Sequence, residues 1–117
     1  LGEESMNQKL FDHAILYDDG SEFFRLKGNA CMALTPKAAI EVCEEATARG
    51  VYIGTIEGGH WRNPGFQPDM STRWDSLKFY KDIDIKLNND IAIENINGDV
   101  AEGYTAFLIT IISKLSD

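Results

Sequence analysis

The stretch Glu57-Gly58-Gly59-His60-Trp61 sets a carboxylate, an imidazole and an indole close together behind paired glycines. A carboxylate and an imidazole at that spacing could serve as a general acid–base pair. Such chemistry also needs a third group to orient the ring and a nucleophile to activate. The chain offers only His13 and His60 as histidines. It has no G-x-S-x-G, H-E-x-x-H or phosphate-binding loop, and Cys31 and Cys43 lack zinc-ligand spacing. Gly54 and Gly58-Gly59 lead into a Pro-rich stretch, whereas a dinucleotide fingerprint must open a helix. No catalytic residue, metal ligand or cofactor is therefore assigned. A small hydrolase using Glu57 and His60 is the lesser enzyme alternative.

The same residue types suit recognition. Trp and Arg beside carboxylates are common at protein interfaces. That description fits Glu57, His60 and Trp61, and again Phe66, Asp69, Arg73, Trp74 and Asp75. Asp82 and Asp84 would extend the surface along one wet strand face. Plainer readings stand beside these. Gly58-Gly59 can simply turn the chain while Trp61 caps the core. Arg73 can pair with Asp69 or Asp75 while Trp74 packs inward, and Asp82 and Asp84 can be ordinary solvated groups.

Charge narrows the partner. The chain carries 11 Lys and Arg against 19 Asp and Glu, a net charge of -8. Nucleic-acid binding replaces phosphate counterions with basic side chains, which this balance does not supply. An acidic field instead attracts a cationic partner, although solubility alone also accounts for acidic composition. No apolar run is long enough to span a bilayer. The expectation is a cytoplasmic protein that binds neither membrane nor nucleic acid. Cys31 and Cys43 are then expected as buried thiols and not a disulfide.

These residues must be positioned by one domain, for which 117 residues suffice. Residues 1–5 precede Met6 and read as a cloning scar or frayed arm; residues 6–117 form the domain. Thr35-Pro36 starts a helix that Gly50 stops at Arg49, with Ala39, Val42, Cys43 and Ala46 as its buried stripe. Val51–Ile56 alternates as a strand. A second helix is expected over Asn7–Tyr17, with a strand as its rival, and Glu22–Leu26 is expected as a short strand or extended link. Glu57–Ser76 reads as a long loop, Leu77–Leu87 as a strand and Asn89–Asn97 as a short helix. Tyr104–Ser113 reads as a strand, with a helix from Asp99 as the alternative. Helix then strand thus occurs twice. The fold class expected is α+β, a mixed β-sheet packed against two or three α-helices.

One further signal lies in Asn29-Ala30-Cys31-Met32-Ala33-Leu34-Thr35-Pro36, then Gly50-Val51-Tyr52-Ile53-Gly54, Glu57-Gly58-Gly59-His60-Trp61 and Trp74. This order resembles immunity proteins of bacterial polymorphic toxin and contact-dependent growth inhibition systems, over about Leu10 to Asp75. The resemblance implies a stoichiometric inhibitor that covers the active site of a cognate toxin domain, a basic nuclease by charge. It carries over no catalytic residues and no interface residues. An acidic nucleic-acid mimic or adaptor is the binding-protein alternative.

Overall fold

A computed structural model describes residues 11–112. The helix starting at Thr35 forms as its residues dictate. The Thr35 hydroxyl accepts the Ala38 N–H, Pro36 fills the first turn, and Gly50 ends the helix at φ 74°. This helix (α2, Pro36–Arg49) is preceded by a short α1 (Ser21–Arg25). It leads directly into β1 (Tyr52–Trp61). The short strands β2 (Phe66–Pro68) and β3 (Trp74–Asp75) follow, with a 3-10 turn at Met70–Thr72 between them. A second 3-10 turn (Leu77–Phe79), a long α3 (Ile85–Ala101) and β4 (Ala106–Ile112) complete the order.

The long β1 is the spine of the sheet. On one side it pairs with β4 over most of its length; on the other, β3 meets Thr55 and Ile56 while β2 meets Gly59 to Trp61. These ladders are all antiparallel. Beyond β4 the sheet is prolonged by single bridges, Phe107 to Leu34 antiparallel and Leu34 to Tyr17 parallel. Helices α2 and α3 pack against each other and against β1, and α2 also lies on β4. The stripe Ala39, Val42, Cys43 and Ala46 is fully buried there, with Ile53, Ile56, Phe107 and Ile109 of the sheet and Ala92 and Ile96 of α3. Burying each large aliphatic or aromatic side chain contributes about 1.5–3 kcal/mol. The α+β class with repeated helix–strand units is the observed architecture.

Several local expectations give way to tertiary context. Residues 11–17 are turns and not helix, because the Asp12 carboxylate takes the Ala14 N–H and Tyr17 bonds across to Ala33 and Thr35. The start of that expected helix lies outside the described residues. Glu22–Leu26 belongs to α1: Asp19 accepts both the N–H and the hydroxyl of Ser21, and Phe23 turns into the core. Leu77–Leu87 is not a strand, because Asp84 caps α3 through the Leu87 N–H. The short helix over Asn89–Asn97 runs further both ways, past Gly98 to Ala101. Chain reversal comes at Gly103, at φ 101°. The strand reading of Tyr104–Ser113 holds over Ala106–Ile112, and the helix from Asp99 does not form. Cys43 is buried as expected, which pushes its thiol up to about 12. Cys31 is exposed instead, in a turn where Asn29 accepts its N–H.

A buried amide pair ties helix to sheet. Between Tyr52 and Gly54, among the described residues, β1 has no strand beside it on the side away from β4. There Asn89 accepts the Ile53 N–H at 2.8 Å and donates to the Val51 carbonyl and the Thr47 hydroxyl. Asn88 donates to the Ile53 carbonyl and accepts from the Ser76 hydroxyl and the Leu77 N–H. Both side chains are fully buried. Removing one leaves backbone groups without partners, at about 1–3 kcal/mol per group. Asn89→Ala should therefore lower stability in urea by about 3 kcal/mol. Amide exchange in the parent should be slowest over residues 53–56, and the Ile53 amide should become fast-exchanging in the variant.

Candidate partner-binding surface

The segment expected as a loop from Glu57 is strand as far as Trp61, and the glycines explain why it could be mistaken for a turn. A Cβ at Gly58 would meet the Phe107 ring at 3.2 Å and the Thr72 hydroxyl at 3.3 Å. One at Gly59 would meet the Phe66 ring at 2.9 Å. These glycines let side chains lie across the strand on opposite faces; a glycine inside a strand often marks such close approach. Thr72 holds the same place by accepting the Gly58 N–H and donating to its carbonyl.

Alternation along β1 then sorts the candidate residues. Ile56 faces the helices with its partners Trp74 and Ile109. Thr55 and Glu57 point to the other face with Asp75, Thr110 and Leu108. Glu57 and His60 are three positions apart, so they emerge on opposite faces. The acid–base pair that a hydrolase would need is not assembled.

On the outer face Arg73 reaches both neighbours, with Nε 3.0 Å from Asp75 Oδ1 and Nη1 3.9 Å from Glu57 Oε2. Trp61 pairs with Phe66, whose ring lies over Gly59. Thr55 and Thr110 join hydroxyls across the strands. All of these groups are half-exposed. Trp74 instead turns inward against the core.

At the Gly58 end the His60 ring lies against Tyr104, centroids 5.1 Å apart. The Tyr104 hydroxyl donates to Asp69 at 2.5 Å, and Ser71 donates to the same carboxylate through its N–H and hydroxyl. These bonds, Tyr104 first, hold Asp69 below the usual carboxylate range; the same contact raises the Tyr104 phenol. Asp99, in the last turn of α3, has a buried Oδ2 with no hydrogen-bond partner. Burial first, then Glu102 and Asp69, raise its pKa.

Asp82 and Asp84 do not join this group. Asp84 caps α3, and Asp82 lies exposed 3.7 Å from Lys78. The Tyr52 hydroxyl bonds the Ile83 carbonyl, which puts both at the opposite end of β1. Tyr104, Asp99, Leu108 and Thr110 were not singled out from sequence. The signals available were the absence of Lys and Arg between Lys86 and Lys114 and the alternation within 106–112. Among the described residues no group of three metal-ligating side chains comes together.

Asp99 makes a pH prediction. A carboxyl whose folded pKa is raised supports the fold below its unfolded pKa, near 3.8, and that support is lost as pH rises through the folded value. An acid at a helix C-terminus also opposes the macrodipole, by about 0.5 kcal/mol. Asp99→Asn should therefore melt about 2–4 °C higher at pH 7. The gain should shrink to nothing as melts are taken below pH 4.

Comparison with known proteins finds immunity proteins. The family model of the Colicin-E5 Imm protein matches residues 32–112, which include all four strands, α2 and α3. A colicin-E5 immunity protein of Escherichia coli is 55% identical over 82 residues, 68% of this chain and 98% of the relative. A second from the same species, described as the colicin-E5 immunity protein in ColE9, is 54% identical over the same shares. The immunity protein CdiI of Burkholderia pseudomallei is 33% identical over 94 residues, 80% of this chain and 86% of the relative. The chain belongs to the colicin-E5 immunity protein family.

Proposed function

We propose that this immunity protein binds a cognate toxin domain that is a basic nuclease, and silences it by covering the active site. Family membership carries the immunity function, and the net charge of -8 supports the choice of partner. A nuclease gathers cationic groups around an anionic substrate. An acidic inhibitor is steered by those groups and competes for the same ground. The relatives' names point to a toxin of the colicin-E5 or CdiI-partnered kind. The protein acts in the cytoplasm, where a nuclease meets its substrate, and needs neither nucleic acid nor membrane as partner. No helix among the described residues is long and apolar enough to cross a bilayer.

The contact region proposed is Glu57 to Asp75, whose aromatic and charged groups the sheet holds in place. Interface residues of these types commonly dominate affinity.

Co-expression with the toxin encoded beside this chain should restore growth. Continued killing by that toxin at equal expression would overturn the proposal. Any loss of protection in His60→Ala should match its loss of toxin affinity, since no reaction depends on His60; lost protection at parental affinity would favour the hydrolase alternative. The association rate should fall steeply between 50 and 500 mM salt, on the order of tenfold, with a much smaller change in dissociation.

A further inference from the structure

We infer that the toxin domain seats on the open face of the sheet, the face opposite α2 and α3, and that Trp61, Glu57, Leu108 and Thr110 form its contact row. The inference rests on the immunity function and adds to the Glu57–Asp75 region a strand at the far end of the sequence.

Four observations favour this face. First, both long helices pack on the Ile56 and Ile109 side, so among the described residues no helix covers the row Thr55, Glu57, Leu108 and Thr110. Second, the helix surfaces mix carboxylates matched by cations one turn away, as in Lys37–Glu41, Arg49–Glu45 and Lys86–Asp90, with lone ones such as Glu44 and Glu94, which lie apart from any large aromatic group of the kind that Trp61 and Phe66 supply. On the open face a single guanidinium, Arg73, serves two carboxylates, Glu57 and Asp75. One negative charge is left over for a cation brought by the partner, which is the complementarity a basic nuclease domain would meet.

Third, the family match spans 32–112 and holds the whole face. The rival surface is an acidic groove of about 350 Å3 between α1 and α2, lined by Asp19, Glu41, Glu44 and Glu45. Asp19 lies outside that match, so the groove is not wholly a shared feature. Fourth, the face is preorganised. β1 is paired on both sides over Thr55–Ile56 and Gly59, and the Thr55 and Thr110 hydroxyls are joined. Docking there orders little that is not already ordered. Trp61 and Phe66 supply the large aromatic area typical of residues that dominate an interface.

The test is calorimetric titration of the full chain with a catalytically inactive form of the toxin domain encoded beside it. Thr110→Arg and Leu108→Lys set a long cation at the centre of the face and should each weaken binding about 100-fold, and Trp61→Ala about 30-fold. Glu44→Arg and Glu94→Arg make the same kind of charge change on the helical side and should stay within about fivefold. Circular dichroism and melting identify any variant that has unfolded. Asp75→Arg, at the face but on a different strand, replaces it and should also weaken binding at least tenfold. The placement is overturned if the helix-side variants lose binding while folded open-face variants keep it. A parent chain that binds no toxin would overturn the immunity proposal itself, a separate result from intact binding by the open-face variants.

Discussion

Two asparagine side chains stand in for a missing strand, and most of the architecture depends on them. β1 is long because α2 delivers it straight from Gly50, but β3 begins to pair only at Thr55. The backbone of Val51 and Ile53 would otherwise be buried without partners, at a cost comparable to several lost hydrogen bonds. Asn88 and Asn89 satisfy it from α3, and in doing so they set the height and rotation of that helix against the sheet. Asn88 also holds Ser76 and Leu77, where the chain leaves β3. A wholly apolar α3 could pack as tightly, yet it would have nothing to specify its register. Satisfied buried polar groups can fix one arrangement in this way.

With α3 placed, its C-terminal end is brought under Gly58, and the two faces of β1 acquire different characters. Toward the helices lie His60, Tyr104 and the Asp69 carboxylate, linked by a ring contact and short hydrogen bonds. Away from them lie Glu57, Arg73 and Asp75, with Trp61 and Phe66 at one end. Neither set joins a nucleophile to a base. Both hold charged and aromatic groups still.

The electrostatics carry a cost in stability. Asp99 and Glu102 end α3 with no basic residue in the last turn, against the preference of a helix terminus. Among the described residues no Lys or Arg pairs with either. Self-repulsion of this kind in an acidic chain works against the compact state.

The sequence by itself determined the elements whose start and stop are local. Thr35, Pro36 and Gly50 bound α2, its small apolar stripe is the buried one, and β-branched alternation marks β1 and β4. The order of short motifs was enough to indicate the family, whereas the hydrolase alternative using Glu57 and His60 stayed open until the strand set them on opposite faces. Tertiary structure alone decided the remainder. Gly58 and Gly59 look like a turn until Phe107 and Phe66 are known to lie across them, because a missing side chain does not say whether it permits a bend or a contact. Ile83, Ile85 and Leu87 alternate like a strand, yet the Asp84 cap and the burial of Asn88 and Asn89 make the chain helical from Ile85. Which face each candidate residue occupies, and which distant strand stands beside it, depends on pairing between Glu57 and Leu108. Contacts between residues so far apart in the chain leave no periodic trace in the sequence.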